Sequence, residues 1–125
     1  LLPENPDESA KLLKSAIDKR LDINIGIIIA DSMNRPWRLG TVGEAIGCAG
    51  IMVLDDRRGE TDLFGRELKV TLINRADALA AFATLAMGET TEKTPLAIIS
   101  GWEQKLGEGG RAAEIMRPRE DDLFN

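Results

Sequence analysis

From Ile23 to Ala30 the chain reads Ile-Asn-Ile-Gly-Ile-Ile-Ile-Ala, and it then meets Asp31 and Ser32. Side chains branched at Cβ crowd a helix and suit a pleated surface, so this segment predicts a strand over 23–30 that stops at Asp31. Its second half has no polar alternation, and burial on both faces is expected. Such a strand needs other strands and helices to cover it, which directs the chain toward packed layers of both. The longest apolar run, Ile25 to Ala30, is far short of the ~18 residues of a membrane span.

Composition narrows the classes. A length of 125 residues suits one domain, and 43% apolar with 30% charged residues supports a packed core. Lys plus Arg is 16 against 21 Asp plus Glu, a net charge of −5. Neither a nucleic-acid partner nor a membrane surface is expected, since both call for a basic face. The chain has no histidine, which excludes a His base and His metal ligands within it. Cys48 is the single cysteine, so no disulfide can close within the chain, and a cytoplasmic setting is expected. No signal peptide is recognisable. The chain opens on Leu1-Leu2-Pro3 rather than Met and reads as a piece of a longer protein.

Asn5-Pro6-Asp7-Glu8 has the order of a cap, a first helical proline and a capping-box acid. A helix over about 6–21 follows, with Leu12, Leu13, Ala16, Ile17 and Leu21 on one face. Lys11, Lys14, Asp18 and Lys19 occupy the other. Residues 32–44 are expected as a loop and 45–55 as one or two strands broken by small residues, whose glycines signal close backbone approach or a bulge. A charged loop is expected over 55–67. Leu68 to Ile73 reads as a strand or as the lead-in to a helix. Asn74 to Met87 predicts an alanine-rich helix with an apolar stripe of Leu79, Phe82, Ala83 and Ala86, ended by Gly88. Pro95 to Ser100 predicts a short buried strand, 101–110 a mobile glycine-rich stretch, and Arg111 to Met116 a short helix. The expected class is α/β (α+β mixed), with helices packed on a mixed β-sheet.

Several groups carry candidate chemistry. A carboxylate beside a hydroxyl, here Asp31-Ser32, supplies oxygen ligands for a hard divalent cation, Mg²⁺ or Mn²⁺. The end of a buried strand is where open α/β sheets place ligands. The same pair also serves simply to turn the chain after a strand. Arg35 and Arg38 are forked donors suited to phosphate or carboxylate, or to local acids at the surface. Trp37 between them can stack on a planar group or fill core. The acids and arginines of 55–67 read most simply as a solvated tip. Gly88-Glu89-Thr90-Thr91 offers amides, hydroxyls and a carboxylate. Cys48, between Gly47 and Ala49, reads as a small core residue, with no histidine to activate it. No P-loop and no Gly-x-Gly-x-x-Gly fingerprint occurs.

Read in order, a larger pattern emerges. Ala30-Asp31-Ser32-x-x-Arg35-Pro36-Trp37-Arg38-x-Gly40 is followed by Ala45-Ile46-Gly47-x-Ala49-Gly50. Asp62-Leu63-Phe64-Gly65-Arg66-Glu67-Leu68-x-Val70-Thr71, Ala76-Asp77 and Met87-Gly88 come next, and the tail is Arg117-Pro118-x-Glu120-x-Asp122-Leu123-Phe124. Together these resemble the coenzyme F420-0:L-glutamate ligase (gamma-glutamyl ligase) family. The likeness covers the whole chain but only the C-terminal half of such a protein, so residues 1–125 are expected to be a partial domain of a larger ligase fold. Thr41-Val42-Gly43 stands where the family carries Gln-x-Asp/Asn, and Glu89 where Gln or Lys is common.

The resemblance implies a GTP- and divalent-metal-dependent ligase that joins L-glutamate to the carboxylate of F420-0 through an acyl phosphate. It implies Asp31, Ser32 and Glu89 as metal ligands, and Gly88, Glu89, Thr90 and Thr91 as nucleotide contacts. It also implies Mn²⁺ or Mg²⁺ as cofactor, K⁺ as an accessory cation, and a homodimer. The family's Asp-Gly-Ser-Asn metal motif and N-terminal nucleotide contacts lie outside this chain, so the chain by itself is expected to be catalytically incomplete. The alternative is a divergent non-catalytic ligand-binding or oligomerisation module of the same fold.

Overall fold

The computed structural model of the chain describes residues 2–102 and 110–122. The first helix forms where its caps place it. Asn5 is extended and its side chain accepts the Glu8 N–H at 3.1 Å, Pro6 takes the first helical position, and Asp7 and Glu8 place negative charge in the first turn. Helix α1 spans Pro6–Leu21, with Lys19 and Arg20 in its last turn, and ends on Asp22 in a left-handed conformation. Glu8, expected to close a capping box, instead lies 3.8 Å from Lys11 Nζ.

The face of α1 that packs differs from the expected one. Ala10 is fully buried, and Lys14, Ile17 and Asp18 are half-buried, whereas Leu12, Leu13, Ala16 and Leu21 are exposed. The cause lies in the opposing strand. A methyl group on Gly47 would run into the Pro6 carbonyl. Backbones that close admit an alanine or a methylene stem between them, not a leucine. The Lys14 stem lies over Gly50, with Cδ 2.8 Å from where a Cβ would stand. Its ammonium reaches Asp18 at 2.5 Å and Asn24 at 2.7 Å.

Strand β1 is Ile27–Asn34 and β2 is Thr41–Ala49, paired antiparallel from Ile27↔Ala49 to Asn34↔Thr41. The isoleucine strand thus begins four residues later than expected and runs on through Asp31 and Ser32. Pairing with 41–44 satisfies the backbone groups of Asp31–Asn34, and that outweighs their local turn preference. The expected 32–44 loop shrinks to 35–40. There Trp37 has φ 62 and is 93% exposed, so it fills no core. Between Ile29 and Ala30 the register shifts so that Ile46 has no opposite residue, a bulge in the small-residue stretch where one was expected. Residues 27–32 are half-buried rather than buried on both faces, because β1 has one strand neighbour.

Strand β3 (Leu54–Asp56) pairs antiparallel with β4 (Leu72–Asn74), so the charged loop starts after Asp56. Both readings of 68–73 are realised in part, since β4 passes directly into helix α2, Arg75–Met87. Asn74 caps it by accepting the Asp77 N–H at 3.0 Å. The buried face of α2 is Ala76 and Ala80, not the expected stripe, and Phe82 and Ala86 are exposed. Residues 95–100 form no strand. Leu96 and Ile98 are exposed, and among the described residues 95–100 enter no backbone ladder, so their apolar pattern gains nothing from pairing. Of the expected mobile stretch, 103–109 fall outside the described residues. A 3₁₀ turn at Ala112–Ile115 stands for the expected short helix, and a second covers Arg119–Asp121.

The class is mixed α/β, with the strands sorted into two antiparallel pairs against the helices. Its core consists of Ala45, Cys48, Ile51, Val53, Ala76, Ala80 and Ala112, flanked by Ile28, Ala30, Leu54 and Ile115. Asp7 ties three segments together. Its carboxylate accepts N–H bonds from Cys48 (2.9 Å), Ala112 (2.7 Å) and Ala113 (3.3 Å). Replacing it orphans amides at the edge of the core, so Asp7→Ala is expected to lower unfolding free energy by about 2–4 kcal/mol. Asp7→Asn, which keeps an acceptor oxygen, should lose roughly half as much. Urea unfolding checks both, and an Asp7→Ala midpoint equal to wild type would contradict this role for Asp7.

Candidate functional site

The site is assembled by the contact between hairpin and helix. Ser32 pairs with Gly43, and a Cβ on Gly43 would lie 2.5 Å from Thr84 Cγ2 and 2.7 Å from the Ala80 carbonyl oxygen. The missing side chain lets α2 rest on the strand. Asp77 fastens the other end of the helix, accepting the Ala45 N–H at 2.9 Å and the Asn74 amide at 2.6 Å. With both contacts made, the last turn of α2 arrives beside Asp31 and Ser32. The chain leaves the helix through Gly88, at φ 77 and ψ 173, and its N–H returns to the Thr84 carbonyl at 2.9 Å.

The result is an open cleft of about 600 Å³. One wall is Ala30, Asp31 and Ser32, and the other is Thr84, Met87, Gly88, Glu89, Thr90, Glu92, Lys93, Thr94 and Pro95. Asp31 does not sit at the carboxyl end of a strand in an open sheet, as expected. It lies mid-strand opposite Glu44, and the end of α2 supplies the rim that a neighbouring loop would give. Among the described residues its carboxylate has no hydrogen-bond or ion-pair partner. Glu89 is likewise without one and is exposed.

Asp31, Ser32, Gly88, Glu89 and Thr90 therefore share one cleft. Thr91 belongs to the same loop but is not on its lining. Arg35 pairs with Glu44 at 3.1 Å on the outer part of the hairpin, and Arg38 is exposed in the connecting turn; neither lines the cleft. Residues unmarked in the sequence reading also line it. Lys93, with φ 54, is the one basic side chain of the lining among the described residues, and Glu92 bonds to Thr90. Their closeness to the helix-ending Gly88 is the signal that could have found them.

Elsewhere many of the acids are already engaged, although Glu4, Asp22, Glu67 and Glu120 also have no side-chain partner among the described residues. Asp55, 8% exposed, is held below the usual carboxylate range by Arg75, against the opposing effect of burial, and further by Arg57 at 3.0 Å. Arg58 brings Asp56 down to about 2. Asp62 accepts the Arg66 and Phe64 N–H groups at 2.9 and 2.8 Å, which also hold its carboxyl down. Among the described residues no group of three or more acids or cysteines is placed to hold a metal ion. A cation in the cleft would thus complete its shell from phosphate and water, as Mg²⁺ commonly does.

Burial, reinforced by Asp7, Asp77 and Glu114, pushes the Cys48 thiol up to about 12. The reactive species is the thiolate, so native protein at pH 8 should resist a disulfide reagent and react only after unfolding. Prompt labelling of the native chain would contradict this burial.

Against this geometry stand the chain's relatives. Residues 1–101 match the family described as F420-0:Gamma-glutamyl ligase. The chain is 48% identical over 124 residues to the Coenzyme F420:L-glutamate ligase of Methanocaldococcus jannaschii, covering 99% of this chain and 49% of that protein. It is 46% identical over 123 residues to the Methanococcus maripaludis protein of the same name (98% and 49%) and 45% over 127 to that of Methanopyrus kandleri (99% and 50%). The chain spans about half the length of the curated relatives it matches. A match over most of its residues, together with these identities, makes the chain a member of the F420-0:gamma-glutamyl ligase family.

Proposed function

We propose that this chain is the part of a γ-glutamyl ligase that holds a divalent cation and the phosphates of GTP, within a longer protein that joins L-glutamate to the carboxylate of F420-0. The observation that carries this reading is that the Asp31 carboxylate, without a partner among the described residues, lines one open cleft together with Ser32, Glu89 and Lys93. The donor set suits the ion: two carboxylates and a hydroxyl, all oxygen, with room left for phosphate and water. Asp31, Ser32 and Glu89 would hold Mg²⁺ or Mn²⁺, whose chemistry is to neutralise charge on phosphate.

In the proposed reaction an oxygen of the acceptor carboxylate attacks the γ-phosphorus of GTP, and GDP leaves. The glutamate amine then attacks the acyl phosphate carbon, phosphate departs and the amine gives up a proton. The Lys93 ammonium adds positive charge beside the transferring group, where charge spreads during phosphoryl transfer. The cleft wall holds the reactants in line. The single buried thiol is compatible with a cytoplasmic setting.

Titration of Mn²⁺ with GDP into a protein of the relatives' full length tests the reading. Asp31→Ala is expected to weaken binding at least about tenfold, as removal of a charged ligand costs more than one hydrogen bond. Unchanged affinity would remove Asp31 from the site. GTP-dependent incorporation of labelled glutamate is expected of the longer protein and not of residues 1–125 alone. A longer protein that binds the nucleotide but incorporates no glutamate would favour a non-catalytic module.

We also propose that the protein is a homodimer. The exposed Leu12 and Leu13 of α1, and Phe82 and Leu85 of α2, support it. Light scattering should return twice the monomer mass, and a monomeric mass would count against it.

A further inference from the structure

Glu92 lies in the loop that follows α2, exposed, with its side chain folded back onto Gly88 and Thr90. Gly88 has φ 77 and ψ 173, a region that side chains other than glycine's seldom enter. A Cβ there would stand 2.5 Å from Glu92 Cγ and 2.6 Å from its Oε2, so the glutamate fills the space that glycine leaves. The carboxylate accepts the Thr90 N–H at 2.8 Å and the Thr90 hydroxyl at 3.2 Å. The Thr90 N–H and the residue's own N–H hold the Glu92 carboxyl below its ordinary range against a small loss of hydration, with smaller help from the Thr90 hydroxyl and the Thr91 N–H. Its carbonyl oxygen accepts the Thr94 hydroxyl at 3.2 Å. Lys93 follows immediately in a left-handed turn.

The acids of the cleft thus divide in two. Asp31 and Glu89 have no partner among the described residues, whereas Glu92 is fully engaged within the loop. We propose that Glu92 is a positioning residue: clasped to Gly88 and Thr90, its side chain holds the loop in the shape that presents Glu89 and Lys93 to the cleft opposite Asp31, so that a metal-bound nucleoside diphosphate meets a preformed wall. The proposal rests on the metal-nucleotide reading of the cleft and adds to it the group that shapes the loop.

The test compares Glu92→Ala and Glu92→Gln with wild type in a protein of the relatives' full length, with Asp31→Ala as reference. Amide hydrogen exchange at Thr90, affinity for Mn²⁺ with GDP, and the melting midpoint are read on each. Glu92→Ala is expected to speed Thr90 exchange and to weaken affinity, each by about tenfold, as loss of charge-assisted hydrogen bonds implies. The midpoint should stay within about 2 °C, because the loop opens locally rather than with the core. Glu92→Gln keeps an acceptor oxygen and should recover most of both. Unchanged Thr90 exchange in Glu92→Ala overturns the proposal. So does affinity equal to wild type while Asp31→Ala loses binding, an outcome that leaves the metal-nucleotide reading standing. A large fall in the midpoint of both Glu92 variants would assign the residue to general stability and overturn it too. Wild-type protein that binds no Mn²⁺ with GDP overturns the reading itself and the proposal with it.

Discussion

Two helices rest on a two-stranded hairpin at distances that only hydrogen and methyl groups permit, and most of the molecule follows from that contact. Gly47 lies under the start of α1, and Gly43 under Ala80 and Thr84 of α2. Most of the buried apolar residues are small, Ala10, Ala45, Cys48, Ala49, Ala76, Ala80 and Ala112, with Ile51 and Val53 the larger members. Small side chains remove little apolar surface each, so the layers cannot rely on burial alone. Carboxylates make up part of the difference by accepting main-chain N–H bonds between elements: Asp7 for Cys48 and Ala112, Asp77 for Ala45, Asp18 for Ile25. Each such bond is charge-assisted, and those of Asp7 and Asp77 join segments far apart in the chain.

The same close contact turns the bulky apolar groups outward. Leu12, Leu13, Phe82 and Leu85 lie on the sides of α1 and α2 away from the glycines and are exposed. A helix can offer one face to a tight seat, and here that face is the alanine face.

At the cleft the tight seat has a chemical consequence. Because Gly43 admits α2 beside Ser32, the helix delivers its last turn to the middle of β1. A strand position that would otherwise face open solvent acquires an opposite wall. The acids outside the cleft are mostly taken, Asp55 by Arg75 and Arg57, Asp56 by Arg58, Asp62 by Arg66 and two amides. Asp31 and Glu89 remain with their oxygens uncommitted among the described residues, on a lining where Lys93 supplies the one positive charge. Acids that keep their lone pairs available beside a cavity are the ones able to meet a cation, whereas acids neutralised by arginine or amides have already spent that capacity.

The sequence by itself determined what depends on neighbours along the chain. Asn5 and Pro6 start one helix, Asn74 and Gly88 bound the other, and the isoleucine run is a strand; caps, a fixed proline φ and β-branching act over a few residues. The order of motifs likewise carried the family and brought Asp31 and Glu89 into view together. Tertiary structure alone decided which face of each helix is buried, since Lys14 wins over Leu12 only because Gly50 lies opposite. It decided that Asp31 to Asn34 are strand, because 41–44 supply their hydrogen bonds, and that 95–100, which enter no ladder among the described residues, are not. It also decided that the Glu92 carboxylate bonds Thr90 while that of Glu89, on the same cleft, has no partner among the described residues. These two glutamates are alike in local sequence, and only the space left by Gly88 tells them apart.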